Sequence, residues 1–197
     1  MNTKNPPHAS AEETAHRIEE WIRAGKVAHA RFAAPGKIAV TELGKSNGLE
    51  FLQRIWNGEL PSIPIGEFMK FLAVEMEPGR IVFQGTPTAD FYNPIGTVHG
   101  GYIATLLDSA VGCAVHTRVP QGYGYTTLEL KVNYLRALTD GVGPVRAEGK
   151  VINLSRQIGL AEGRLYDAAG HLYAHATTTC LVFALKAASH AAGASLG

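Results

Sequence analysis

The most constraining feature of the sequence is the stretch from Asn93 to His116, NPIGTVHGGYIATLLDSAVGCAVH. It opens with turn residues, passes the Gly100-Gly101 pair and continues as an apolar run that contains one charged residue, Asp108. A helix that is apolar on nearly all sides is normally buried in a protein core. The run is too short and too interrupted for a typical membrane-spanning helix. We therefore predict a central helix that the rest of the chain wraps.

Asp108 is the first functional candidate in this helix. A lone carboxylate in apolar surroundings costs free energy unless it is hydrogen-bonded, paired or protonated, and such groups often mark functional sites. Gly100 and Gly101 open the helix, where unpaired N–H groups suit a developing oxyanion. Two alternatives stay open: the glycines can simply admit a neighbouring strand, and Asp108 can be a satisfied carboxylate at a subunit contact.

Spacing along the helix predicts how Gly100 and Asp108 can cooperate. Eight residues separate them in sequence, which corresponds to about 12 Å along a helix axis. A general base must lie within about 3 Å of its proton partner. If both residues are catalytic, they must therefore come from different chains. Two such helices packed antiparallel about a two-fold axis predict a dimer with two equivalent interface sites.

The sequence around the helix predicts an α+β domain with an antiparallel sheet that curls around the helix. Residues 71–77, 80–86, 126–138, 144–154, 158–167 and 171–183 are strand-like, and the last four are expected in hairpin-like succession. In the first strand after the helix, alternation turns Leu128, Leu130, Val132 and Tyr134 to the core. One sheet can cover only part of such a helix, so a second copy of the chain is expected to cover the remainder.

We divide the chain into an N-terminal helical extension (residues 1–61), the main domain (62–184) and a flexible tail (185–197). Residues 1–9 are expected to be disordered. The capping box of Ser10 and Glu13 starts a helix that ends near Gly25, residues 37–43 could form a strand, and residues 48–57 form a short helix.

Composition excludes several classes of function. Lys and Arg total 18 against 17 for Asp and Glu, so charge gives no reason to expect a nucleic-acid partner. The N-terminus lacks the apolar core of a secretory signal. Cys113 and Cys180, both inside apolar runs, are interpreted as buried free thiols. We predict a cytoplasmic protein without membrane contact, and the spacing of the histidines does not indicate a metal site.

The motif N-x-x-G-x-x-H-G-G, at Asn93, Gly96, His99, Gly100 and Gly101 and followed by Asp108, resembles the PaaI-like branch of the hot-dog-fold acyl-CoA thioesterases. The resemblance spans about residues 65–183 and agrees in the order of strands and helix. It implies a hot-dog fold and hydrolysis of acyl-CoA to free acid and coenzyme A. It also implies no metal or other cofactor, and a homo-oligomer that is usually a dimer of dimers.

The same resemblance implies roles for individual residues. Asp108 corresponds to the catalytic carboxylate, acting as general base on water or as nucleophile. Gly100 corresponds to the residue whose N–H polarises the thioester carbonyl, and Asn93 to the amide that assists it. Thr127 corresponds to a Ser or Thr that helps to hold the water. By alternation, however, Thr127 falls on the outward face of the strand. Thr126 is therefore the alternative candidate for this role, unless the strand twists at its start.

Four further residues are predicted to bind substrate. His99 and Gly101 lie at the helix start, where the resemblance makes His99 mainly a structural hydrogen-bonding residue. Ser155 and Arg156 correspond to a Gly-Arg or Gly-Lys pair near the nucleotide, with Ser155 replacing the usual glycine; an exposed turn arginine is the alternative. We thus predict an acyl-CoA thioesterase for medium-chain or aromatic acyl groups. A non-catalytic acyl-CoA-binding module and an enoyl-thioester hydratase are the alternatives.

Overall fold

The structure, a computed structural model, describes residues 9–185. The predicted disordered start and flexible tail therefore lie outside the described residues, apart from Ala9 and Leu185. The N-terminal elements are α1 (Ala11–His29), β1 (Ala33–Pro35), α2 (Val40–Leu43), α3 (Gly48–Trp56), β2 (Pro61–Ser62) and α4 (Pro64–Phe68). The main domain follows with β3 (Phe71–Glu77), β4 (Arg80–Gly85), α5 (Gly100–His116), β5 (Tyr123–Tyr134), β6 (Val145–Leu154), β7 (Ile158–Asp167) and β8 (Leu172–Ala184).

The main domain is an α+β structure in which one antiparallel sheet packs around α5. The sheet has six strands in the order β3-β4-β6-β7-β8-β5 and is not closed. Helix α5 packs against β4, β5, β6, β7 and β8. Glycines let the helix approach closely: a Cβ on Gly149 of β6 would lie 2.2 Å from the Ala110 carbonyl oxygen, and one on Gly163 of β7 would lie 2.7 Å from Val111. The predicted central helix is thus confirmed.

The predicted succession of four hairpin-linked strands after α5 is wrong in one connection. β6, β7 and β8 are joined as antiparallel hairpins, but β5 pairs with β8 and β6 pairs with β4. Residues 135–144 between β5 and β6 pass the start of α5, where the Val98 N–H donates to the Leu138 carbonyl oxygen at 2.9 Å. A long connection of this kind can cross the sheet, whereas a tight turn cannot. β5 consequently lies at an edge of the sheet.

A β-bulge in β5 changes which residues face the core. Thr127 pairs with Cys180 and Glu129 with Thr179, so Leu128 is the extra residue. One extra residue moves every following side chain to the opposite face. The prediction that Leu128 faces the core is therefore wrong, since this bulged residue is 58% exposed. After the bulge, Leu130 and Val132 pack against the core as predicted. Tyr134 lies on the same side at the end of the strand but is 53% exposed.

The N-terminal extension packs against both the sheet and α5. Trp21 of α1 is buried, with its ring 5.9 Å from that of Tyr166 and under the Arg146 guanidinium at 4.4 Å. At the end of α5, the Phe51 ring of α3 lies 5.4 Å from that of His116. The extension therefore covers part of the helix surface that we had assigned to a second copy.

Two details of the extension differ from prediction. The capping box is confirmed, but α1 continues beyond Gly25 to His29. The strand considered at residues 37–43 is wrong: Val40 begins the short α2, and the strand of this region is β1, which pairs with β2. The boundary near residue 62 stays a prediction. No helix within residues 9–185 has the length and apolar character needed to cross a bilayer.

Candidate active site

Local sequence builds the N-terminal tip of α5. His99 is the N-cap, and its Nδ1 accepts a hydrogen bond from the Gly101 N–H at 2.8 Å. The Gly100 N–H, one of the donors that a helix start leaves unpaired, meets no acceptor among residues 9–185. The positive end of the helix dipole lies at the same place. Gly100 thus offers a free donor, whereas the N–H of Gly101 is already used by His99.

The loop before α5 fixes the side chain of Asn93. Its Oδ1 accepts hydrogen bonds from the N–H groups of Ile95 and Thr97, both at 3.1 Å, and its Nδ2 donates to the Thr97 hydroxyl at 2.9 Å. The neighbouring Tyr92 hydroxyl donates to Asp140 Oδ1 at 2.6 Å, and this bond raises the pKa of Tyr92. The Asn93 amide is therefore held in place, with one Nδ2 hydrogen left for a ligand.

Asn93 and Gly100 open onto the same cleft, as their predicted roles require. The cleft has a volume of 350 Å³, within the range of small-molecule sites. Its lining comprises Asn93, Thr97, Val98, Gly100, Ile103, Tyr134, Leu135, Arg136, Ala137 and Leu138. The Arg136 guanidinium lies 5.9 Å from the centre of the Tyr173 ring and is the cationic group of this lining.

Tyr134 is a site residue that sequence reasoning missed. Its hydroxyl donates to the Gly100 carbonyl oxygen at 2.9 Å, and a Cβ on Gly100 would lie 3.1 Å from its ring. Alternation placed Tyr134 on the side of β5 that faces α5, but at the end of the strand this side reaches the helix tip and not the core. The one sequence feature that could have indicated this contact is the glycine at position 100, because the absence of a side chain there makes room for the Tyr134 ring.

Asp108 lies on the strip of α5 that the sheet leaves partly open. It is half-buried, together with Ala104, Thr105 and Ser109. Its Oδ1 accepts a hydrogen bond from the Thr127 hydroxyl at 3.2 Å. Thr126, the rival candidate, is exposed. The bulge explains the choice, because it lets Thr127 face inward before the register changes.

The chain forms two separate half-sites. Gly100 and Asn93 make one, and Asp108 and Thr127 make the other. Asp108 does not line the cleft at the helix tip, and about 12 Å of helix axis separates it from Gly100. Within one chain, no single reacting carbon can contact both half-sites.

Ser155 and Arg156 form the turn between β6 and β7, away from the helix tip. The Ser155 hydroxyl accepts from the Ile158 N–H at 3.1 Å, and the Ser155 N–H donates to the Ile158 carbonyl oxygen at 2.8 Å. The Arg156 side chain is exposed. The serine that replaces the usual glycine is thus used to close the turn. Neither residue contacts the other predicted site residues within this chain.

The described residues contain no cluster of His, Cys, Asp or Glu suited to hold a metal ion. His171, the histidine that ends the β7–β8 turn, has its Nδ1 2.9 Å from Asp167 Oδ2. Cys180 is a buried free thiol as predicted, and Cys113 is free but only partly buried. Burial raises the pKa of the Cys113 thiol to about 12, so this cysteine is a poor nucleophile at neutral pH.

Comparison with known proteins places the chain in a family. A family model described as the thioesterase superfamily matches residues 95–174. A protein of Saccharolobus solfataricus that is named a suspected esterase is 30% identical over 122 residues, which are 62% of this chain and 85% of that protein.

Two solved structures carry the comparison further. The phenylacetic acid degradation protein PaaI of Thermus thermophilus, in a mutant form, is 31% identical with a TM-score of 0.55 and is matched over 60% of this chain and 97% of its own. A Streptococcus mutans protein solved with bound acetyl CoA is 25% identical, with a TM-score of 0.54 and coverage of 59% and 91%. The chain therefore belongs to the PaaI-like group of the hot-dog-fold thioesterase superfamily.

Proposed function

We propose that this protein hydrolyses acyl-CoA thioesters with medium-chain or aromatic acyl groups, at sites shared between two copies of the chain. The Gly100 N–H and the Asn93 amide of one copy polarise the thioester carbonyl. Asp108 of the other copy activates water, or attacks the carbon itself, while Thr127 holds the carboxylate and the water. No metal or cofactor takes part, because an oriented carboxylate and an oxyanion site suffice for this hydrolysis.

The observation that carries the proposal is the separation of the two half-sites on one helix. Each half-site has one part of the chemistry: a free donor at the tip of α5 and a hydrogen-bonded carboxylate two turns later. Two antiparallel copies of α5 bring each donor to the other's carboxylate. The edge strand β5 supports this assembly, since among residues 9–185 it pairs only with β8, and its other edge is available to a second copy.

The acyl-CoA substrate, the assembly as a dimer or dimer of dimers, and the cytoplasmic location belong to the same proposal. The relative with bound acetyl CoA supports the choice of a coenzyme A ester. Arg136, in the cleft, and Arg156, at the β6–β7 turn, supply cations of the kind that bind the phosphates of coenzyme A. His99 contributes by shaping the helix tip.

The test begins with Asp108→Asn in the full chain. This change keeps an oxygen that can accept from Thr127 but removes the base, so we expect turnover to fall by about 10²-fold or more with an unchanged melting temperature. Thiol release from phenylacetyl-CoA and a series of straight-chain acyl-CoA esters measures it. Glu50→Gln, an exposed carboxylate on α3, is the matched control and should keep full turnover. Normal turnover of Asp108→Asn would remove the base from the mechanism.

A second variant, Gly100→Pro, tests the shared site. Proline is tolerated at the first residue of a helix and removes the N–H, and His99 before it already has the extended conformation that proline requires. The Cβ of the proline would lie 3.1 Å from the Tyr134 ring, so Gly100→Ala, which adds the Cβ but keeps the N–H, is the matched control. Asp108→Asn alone and Gly100→Pro alone should each be inactive. After mixed refolding of both variants, half of the dimers pair one chain of each kind and regain one intact site, so activity should return to about a quarter of wild type. No recovery would contradict a site built from two chains.

The same assays decide between the alternatives. Release of thiol from saturated acyl-CoA identifies a hydrolase. Addition of water to an enoyl-CoA without thiol release would instead identify a hydratase, and tight coenzyme A binding with neither reaction would identify a binding module.

A further inference from the structure

A second cavity, away from both half-sites, lies between the N-terminal extension and the main domain. Its volume is 430 Å³, which places it among small-molecule sites. One wall comes from the sheet and includes Phe71, Ile81 and Phe83. The opposite wall comes from the end of α1, from β1, α3 and α4. Cys113 of α5 also lines it.

The lining of this cavity is mostly apolar. Its apolar side chains are those of Phe32, Ala33, Ala34, Pro35, Leu52, Ile55, Trp56, Ile63, Phe71, Leu72, Ala73, Met76, Ile81 and Phe83. Protein interiors are close-packed and contain few spaces larger than a water molecule. A cavity of this size and composition is therefore suited to an apolar ligand rather than to water, which requires several polar partners.

The ionisable side chains His29, Glu67 and Lys70 mark one end of the cavity; Ser62 is a further polar residue of the lining. His29, Glu67 and Lys70 are all substantially exposed, so they lie where the cavity meets solvent. His29 Nε2 lies 3.9 Å from Glu67 Oε2, and Lys70 Nζ lies 2.9 Å from Asp90 Oδ2. The cavity thus has an apolar interior and a charged mouth.

We propose that this cavity binds the straight aliphatic chain of a single-chain amphiphile whose polar head stays in water at the mouth. Fatty acids and the acyl chains of thioesters share this chemistry. The volume of 430 Å³ equals that of about fourteen water molecules at ~30 Å³ each, and a methylene group takes about as much room as a water, so a chain of about ten carbons fits with space to spare. Neither Asp108 nor Gly100 lines this cavity, so binding of the chain can be measured separately from hydrolysis.

Cys113 marks the place where the cavity reaches the central helix. Its neighbours on the C-terminal half of α5 are buried, yet part of the surface of Cys113 is accessible, and Cys113 belongs to the lining. The accessible part of Cys113 therefore faces the cavity. A larger side chain at this position fills the space that the aliphatic chain occupies.

The two tryptophans of the chain give a direct binding test. Trp56 lines the cavity, whereas Trp21 is buried between Tyr166 and Arg146. In the full-length Trp21→Phe variant, a decanoic acid brominated at its terminal carbon should quench Trp56 fluorescence saturably, because heavy-atom quenching requires contact. In Trp56→Phe, with Trp21 as the remaining fluorophore, the same acid should leave the fluorescence unchanged. Affinity should rise about fourfold for each added methylene up to the chain length that fills the cavity.

Substitutions at Cys113 test the location and the source of the chain. In the Trp21→Phe background, Cys113→Phe should abolish quenching and Cys113→Ala should retain it. If Cys113→Phe also lowers kcat/KM for decanoyl-CoA but not for acetyl-CoA, the bound chain is that of the thioester. An unchanged profile identifies a separately bound fatty acid. The proposal is overturned by absent or non-saturable quenching, or by equal quenching of Trp21 and Trp56; neither result depends on Cys113→Phe folding or on hydrolysis.

Discussion

The two ends of α5 contrast in what covers them. At the N-terminal end, the Gly101 N–H donates to the His99 ring, and the Gly100 N–H stays free. The side chain of Tyr134 reaches this tip and is itself half exposed. At the C-terminal end, His116 is buried between the rings of Phe51 and Tyr125, at centroid distances of 5.4 and 4.9 Å.

The contrast teaches that one helix serves two purposes. Its C-terminal half is covered by the chain's own extension: the Gly48 N–H donates to the Val119 carbonyl oxygen at 2.9 Å, and a Cβ on Gly48 would lie 1.8 Å from the His116 carbonyl oxygen. Its N-terminal half keeps an accessible donor and an open cleft. Substitutions at the C-terminal end should therefore change stability, and substitutions at the N-terminal end should change chemistry.

The largest expected effect on this contrast comes from Phe51→Ala. Removing a buried phenylalanine leaves a cavity against His116 and should lower the free energy of unfolding by about 4 kcal/mol, measured by urea denaturation. The matched control is Phe68→Ala, at a side chain that is 76% exposed, which should change stability by less than ~0.5 kcal/mol. Equal effects of the two substitutions would show that α3 does not stabilise the end of α5.

A smaller effect is expected from the protonation of His116. Burial lowers its pKa to about 4, from about 6.5 in an unfolded chain. Below pH 6.5 the unfolded state binds a proton that the folded state does not, so stability falls between about pH 6.5 and 4 and no further below that range. The loss should reach roughly 3 kcal/mol.

The His116→Phe variant isolates this contribution. It keeps an aromatic ring between Phe51 and Tyr125 but cannot titrate, so its free energy of unfolding should fall less than that of wild type between pH 7 and pH 4. Carboxylates titrate in both proteins and cancel in the comparison. Parallel pH profiles of the two proteins would contradict the assignment of a neutral buried histidine.

The smallest effect is expected at the N-terminal end, from Tyr134→Phe. It removes the hydroxyl that donates to the Gly100 carbonyl oxygen but keeps the ring over the helix tip. The hydrogen bond is worth about 1 kcal/mol, so kcat/KM should fall by about fivefold through a misplaced Gly100, with the melting temperature nearly unchanged. Tyr123→Phe, in the same strand, is the control. A large stability loss in Tyr134→Phe would mean that the N-terminal end is not purely functional.

Local sequence was a good guide wherever a short segment satisfies itself. The apolar run and its glycines predicted α5 with its observed ends, and the Ser10–Glu13 capping box predicted the start of α1. Turn residues predicted the hairpins of β3 with β4 and of β7 with β8, and the expected succession of strands predicted the hairpin of β6 with β7. In each case the hydrogen-bond partners lie close together in the sequence, so a local sequence pattern is enough to predict the structure.

Partners distant in sequence were less predictable. Alternation in β5 favoured Thr126 over Thr127, because a single extra residue at Leu128 is invisible to a two-residue period. Tyr134 was missed for another reason: alternation gives its side of the strand but not that the end of β5 reaches the tip of α5. The pairing of β5 with β8 depends on a connection that passes the helix start, which no turn residue encodes.

The sequence by itself determined the central helix, its glycine tip, its single carboxylate and the family motif, because these follow from local composition and spacing. The tertiary structure alone decided that Thr127 reaches Asp108, that Tyr134 covers Gly100 and that the extension closes a cavity over Cys113. The reason is that packing joins residues far apart in the chain, and the closest approach of two surfaces depends on every element between them.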